Sequence, residues 1–132
     1  MRCLVPLPAL LLAGCAALGP VECPGGERPA VTETLYFGSA RIGGAVTGEE
    51  WTAFLRDVVT PRFPEGFTTW RASGQWRGAA NAIMSEKSFV LVIVHAPGAE
   101  GSDNIAAIAS QYKARFGQEA VLRVGSSGCF SL

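Results

Sequence analysis

The chain has 132 residues, with 11 Lys and Arg, 11 Asp and Glu, and a single His. That length is enough for one compact domain with a real core, and too short for several. The balanced charge offers no basic excess for nucleic acid and no polybasic segment for anionic lipid, so neither is an expected partner.

In chain order, Arg2 is followed by an apolar run from Leu4 to Ala13, which Leu12-Ala13-Gly14-Cys15 closes. A charged start, a short apolar stretch and small residues at the cut describe a secretory signal. The run is too short to span a bilayer, which needs about 20 apolar residues. Leu-Ala-Gly-Cys resembles the bacterial lipobox, and the resemblance implies lipidation of Cys15, a signal peptide over residues 1–14 and a membrane anchor through the lipid. Several acyl chains make such an anchor durable, at about 0.8 kcal/mol per buried methylene. Ala16, where an Asp would favour retention at the inner membrane, points to the outer membrane facing the periplasm if the source is Gram-negative. Residues 15–30, rich in Pro, Gly and small side chains, read as a tether, and residues 31–132 as the single domain.

Four cysteines are present. Cys3 leaves with the signal and Cys15 is the acylation site, so Cys23 and Cys129 remain for a structural disulfide. Free thiols, half of a metal site or a redox centre lack support: there is no Cys-x-x-Cys and no nearby His.

Thr32 to Ser39 reads as a first strand. Thr47-Gly48-Glu49-Glu50 forms a capping box ahead of a helix whose Trp51, Phe54, Leu55 and Val58 share a face, stopped near Thr60 by Pro61. Phe67 to Trp76 is a second strand, with a turn over 78–85. Glu86 to Ala96 is the strongest strand, apolar without interruption from Phe89 to Val94, as in a central strand covered on both faces. Ile105, Ile108, Tyr112 and Phe116 repeat at helical spacing and Gly117 suits the helix end. Ser102 or Asp103 is the expected cap. Gln118 to Val124 makes the last strand, with Ala120, Leu122 and Val124 on one face.

The order β-α-β-β-α-β is that of the α+β ferredoxin-like fold, a four-stranded antiparallel sheet with two helices on one face. Two helices leave the other sheet face bare. A second copy of the chain, an envelope protein, the tether, the Gly38 to Val46 loop or a ligand is expected to cover it, with Tyr36 and Trp70 as anchors.

No phosphate loop, dinucleotide fingerprint, Ser-hydrolase elbow, His-Glu-x-x-His or calcium loop is present, so no cofactor and no metal are expected. His95 reads as a polar strand end. The glycine-rich Gly38 to Gly44 stretch reads as a hairpin-like loop. The richest polar set is Arg62, Gln75, Arg77, Glu86, Arg115, Gln118, Glu119 and Arg123. Within it, Arg62, Gln75 and Glu86, with Trp76 as an apolar wall, are the candidate ligand pocket.

Thr60-Pro61-Arg62-Phe63-Pro64-x-Gly66-Phe67-Thr68, Gly74-Gln75-Trp76-Arg77, Glu86, and the run from Tyr112-Lys113 through Arg115-Phe116 and Gln118-Glu119 to Arg123 together resemble an uncharacterised bacterial lipoprotein family, domain of unknown function 3574. Ala120 departs from the family, where Ser is common. The resemblance implies an exported, usually lipid-anchored protein and no particular activity. The expectation is therefore a lipid-anchored extracytoplasmic binding or accessory protein with no catalytic residues. The alternative is a small-molecule enzyme using the pocket around Gln75, Glu86 and Arg62.

Overall fold

The computed structural model describes residues 22–77 and 81–132. Residues 1–14, Cys15 and most of the expected tether therefore lie outside the described residues, as do 78–80 of the turn.

The sheet strands are β1 (Arg28–Gly38), β4 (Thr68–Arg77), β5 (Ile83–His95) and β6 (Leu122–Phe130). They run in the order β4-β5-β1-β6, all antiparallel. Two short strands, β2 (Ala40–Arg41) and β3 (Gly44–Ala45), pair across the turn that Gly43 makes at φ 84°, so the glycine-rich loop is a small hairpin. Helices α1 (Gly48–Phe54) and α2 (Ala99–Phe116) cover one face. The fold is α+β and ferredoxin-like, with the first and third main strands central.

Both helix ends follow from local chemistry. Thr47 accepts from the Glu50 N–H while the Glu50 carboxylate accepts from the Thr47 N–H, closing the capping box. A wider turn, Leu55–Val59, extends α1, and Thr60 N–H closes it on the Leu55 carbonyl. Helix α2 ends at Gly117 in the left-handed region, φ 66°. It begins earlier than Ser102, at Ala99, behind Gly98 at φ 140°. The freed Ser102 hydroxyl instead accepts from Arg123.

Two strands are longer than their propensities suggest. β1 starts at Arg28, inside the expected tether, and β6 continues to Phe130 through Gly125-Ser126-Ser127-Gly128. Each supplies the other's backbone partners, from Arg28↔Phe130 to Tyr36↔Leu122. The Cys23–Cys129 disulfide, Cα atoms 5.7 Å apart, ties this end together. Pairing and the crosslink outweigh the weak strand preference of Gly and Ser.

Period-2 alternation sends Leu35 and Phe37 of β1 and Phe89, Leu91 and Ile93 of β5 toward the helices. There they meet Trp51 and Phe54 from α1 and Ile105, Ile108, Tyr112 and Phe116 from α2. Phe37 lies 4.6 Å from Tyr112 and 5.1 Å from Trp51 between ring centroids, and Trp51 stacks on Phe89 at 4.6 Å. Each such pair adds about 0.5–1.5 kcal/mol beyond area burial. The opposite face carries Tyr36, Trp70, Trp76, Met84, Val94, Leu122 and Val124, all exposed, around a buried Val90. Ala120 lies outside β6, and the apolar face of that strand, Leu122 and Val124, is turned away from the helices.

Candidate functional site

Glu86 sits near the start of β5, opposite Gly74 of β4. Its Oε1 accepts from the Ala40 N–H at 3.0 Å, and its carboxylate folds over Gly38. A Cβ at Gly38 would stand 2.6 Å from Glu86 Oε1, so only glycine leaves the carboxylate its place. Gly74 also has open space where a side chain would be. The sheet face that carries Glu86 therefore has a gap in its side-chain layer, with Trp76 and Met84 on the turn side and Trp70 and Tyr36 farther along. Glu86 is half-buried and, among the described residues, has no cation within ion-pair distance. On the opposite face of the same hairpin, Ser73, Gln75, Ser85 and Lys87 line, with Gly74 and Glu86 at its edge, a hollow of about 540 Å³.

The surroundings are fixed by β1's end. The Tyr112 hydroxyl donates to the Gly38 carbonyl at 2.8 Å, and the Gln118 amide donates to the Ala40 carbonyl at 2.6 Å. Burial, with the nearby Glu86 charge, pushes the Tyr112 phenol far above its ordinary range. Arg41 and Glu50 pair through two 2.9 Å hydrogen bonds above the start of α1. The Thr47 N–H and Arg41 hold the Glu50 carboxyl below its usual range.

A second polar cluster lies toward the other end of the sheet. Glu33, 2 % exposed, points toward the helices from the central strand β1. Arg123 of β6 donates to both its oxygens and to Ser102 Oγ. That pairing holds the Glu33 carboxyl below its usual range despite burial, with His95 adding a smaller attraction. A Cβ at Gly125 would come 3.1 Å from Glu33 Oε2, so this glycine makes room for the carboxylate. His95 places Nδ1 2.8 Å from its neighbour's carbonyl, Ala96 O, and leaves Nε2 buried without a partner. Gly101 of α2 packs so closely on the imidazole that a side chain there would collide with it.

The structure thus rearranges the expected pocket. Gln75 and Glu86 line one hollow, but Gln75 pairs with Ser85 and its side chain lies on the sheet face opposite that of Glu86. Trp76 shares the Glu86 face. Arg62 is not part of the site. It follows α1, where its guanidinium donates to the Val58 carbonyl at 2.7 Å, and the adjacent Phe63 packs 5.9 Å from His95. About 30 Å of extended strand separates His95 from Glu86. Lys87 lines this hollow, and Arg71 lines a neighbouring one with it. Glu33 and its pairing with Arg123 were missed. Their signal was present, because in Thr32 to Phe37 the alternation puts Glu33 in phase with Leu35 and Phe37. An acid on an inward face demands a cation.

The model of a family described as "Protein of unknown function (DUF3574)" matches residues 32–132. The chain belongs to this family. No curated protein matches it. Among solved structures it is similar to a phage SAM lyase in complex with S-methyl-5'-thioadenosine, with a TM-score of 0.59 and 12 % identity over 85 % of this chain and 95 % of that one. A phage SAM lyase in its apo state gives a TM-score of 0.58 and 16 % identity over 85 % and 94 % of the two chains. At such identities the likeness is one of fold. It nevertheless corrects the expectation of a non-catalytic binding or accessory protein. Both of these structures are named as a lyase, and the small-molecule alternative fits them better.

Proposed function

We propose that this chain is a small-molecule enzyme whose catalytic group is Glu86. The observation that carries the reading is a half-buried carboxylate without a cationic partner among the described residues, set in a side-chain gap between Gly38 and Gly74 with Trp76 beside it. A carboxylate so placed attracts a cation and can accept a proton. An aromatic wall suits a flat ring on the same ligand. The fold neighbours, whose names give SAM and S-methyl-5'-thioadenosine, support a sulfonium compound as the first substrate to test.

The chemistry restricts what Glu86 does. Cleaving a sulfonium C–S bond sends the electron pair to sulfur and leaves a neutral thioether. The cationic charge disappears along the reaction, so a carboxylate that merely balanced it would favour the ground state. Glu86 acts instead as a base. It takes a proton from the carbon fragment, the C–H pair becomes the new C=C bond, and the C–S pair leaves with sulfur. The Ala40 N–H orients the carboxylate through Oε1, leaving Oε2 for the proton. Incubating the purified full-length chain with S-adenosylmethionine should release S-methyl-5'-thioadenosine, measured by liquid chromatography. Glu86→Gln should slow release by about 100-fold or more. No thioether from the parent, or equal rates in parent and variant, would refute the assignment.

The lipid anchor is a separate proposal, supported by Leu12 to Cys15. Cys15 would carry the lipid and place the domain in the cell envelope. Cys15→Ser cannot form the thioether to diacylglycerol, so metabolic labelling with a fatty-acid analogue should vanish. Equal label in both proteins would remove the anchor.

A further inference from the structure

The face of the β4–β5 hairpin opposite Glu86 carries a different chemistry. Ser73 pairs with Lys87, and Arg71 with Phe89, so Arg71, Ser73 and Lys87 share one face. With Ser39 and Val46 they line a hollow of about 300 Å³ between the hairpin and the β2–β3 loop. Arg71 and Lys87 are diagonal cross-strand neighbours, about 7–8 Å apart at the backbone, where like charges oppose one another. Among the described residues neither has a carboxylate within ion-pair distance.

Structural roles do not account for this pair. The capping box of α1 is complete without Arg71, and Glu50 is already committed to Arg41 and the Thr47 N–H. Glu49 lines a neighbouring hollow that Arg71 also borders, beyond ion-pair distance of Arg71. The Arg71 side chain is nonetheless held in place. The Arg71 guanidinium lies 5.8 Å from the Phe89 ring centroid and packs on Gly48, where a side chain would collide with it. The Lys87 backbone is pinned, because its carbonyl accepts from the Ser39 N–H at 3.1 Å and from Ser39 Oγ at 2.6 Å. Arg71, Ser73 and Lys87 thus line one hollow.

We propose that this hollow binds the oxyanion of a small molecule, a carboxylate or phosphate group, between Arg71 and Lys87. Such a group would satisfy both cations at once and accept from Ser73. The site lies across the sheet from Glu86 and stands or falls independently of it.

The test is a titration of the purified full-length chain with inorganic phosphate and, separately, with malonate, at constant ionic strength in chloride. Saturable binding of either probe is expected; phosphate alone identifies a phosphate site and malonate alone a carboxylate site. Arg71→Gln and Lys87→Gln should each weaken binding by about tenfold or more, as for loss of one charge-assisted hydrogen bond. Arg115→Gln, whose arginine pairs with Asp57 elsewhere, should bind as the parent does. Circular dichroism confirms that each variant is folded. Failure of both probes to saturate, or unchanged affinity in folded Arg71→Gln and Lys87→Gln, would overturn the proposal.

Discussion

Arg123→Ala leaves the Glu33 carboxylate inside the protein without its cation. Glu33 is 2 % exposed, and both its oxygens accept from Arg123. Removing one partner of a buried pair costs about 3–5 kcal/mol, because the other charge stays buried and uncompensated. The Arg123 side chain is 36 % exposed, so solvent already screens part of the interaction. We therefore expect somewhat less than that range, about 2–3 kcal/mol at pH 7. For a domain near this size that lowers Tm by roughly 10 °C. The pH dependence identifies the cause. In the parent the folded Glu33 pKa is depressed, so its stabilisation is present above the unfolded value near 4.5 and is lost as pH falls through the folded value. In the variant burial outweighs the smaller attraction from His95 and raises that pKa, so acid relieves the buried charge. The stability difference between parent and variant should shrink from its pH 7 value to below about 1 kcal/mol by pH 3. Contributions of other depressed carboxylates cancel in that difference. Glu33→Gln, which removes the buried charge instead of stranding it, should cost less than Arg123→Ala at pH 7. The measurement is urea unfolding of the oxidised proteins from pH 3 to 7. A difference independent of pH, or one under about 1 kcal/mol at neutrality, would refute the reasoning.

Three other perturbations have defined outcomes. Cys129→Ser opens the crosslink between residues 106 apart in sequence, and should lower stability by about 2–5 kcal/mol; urea unfolding that matches the oxidised parent would count against the disulfide. Tyr112→Phe deletes the hydroxyl that holds the Gly38 carbonyl and should cost about 1–2 kcal/mol in the same assay. In an ultraviolet titration the buried Tyr112 phenol should stay protonated well above the ordinary phenol range while the chain stays folded. The folded Tyr112 pKa is raised, so its stabilisation is whole below the unfolded pKa and is lost as pH rises through the folded one; a native Tyr112 that ionises in the ordinary phenol range contradicts its burial.

Local chemistry in the sequence determined the elements and their order. The Thr47 to Glu50 capping box, the 3-4-4 spacing from Ile105 to Phe116 and the unbroken apolar run from Phe89 to Val94 each encode a hydrogen-bonding pattern within a few residues. They sufficed for a ferredoxin-like sheet with β5 at its centre. Cys23 and Cys129 could be paired once Cys3 and Cys15 were assigned to the expected signal and acylation site, and the disulfide joins them. Register and strand ends were different. Arg28 to Ala30 and Gly125 to Phe130 have little strand preference alone and are strands because each completes the other's ladder. The candidate site was half legible. Trp76 and Glu86 could be placed near one turn, but strand parity sends Gln75 to the other face, and α1 carries Arg62 to the far end of the sheet. Tertiary structure alone brought Gly38 under the Glu86 carboxylate and Arg71 beside Lys87, because those contacts join chain segments whose separation depends on sheet pairing.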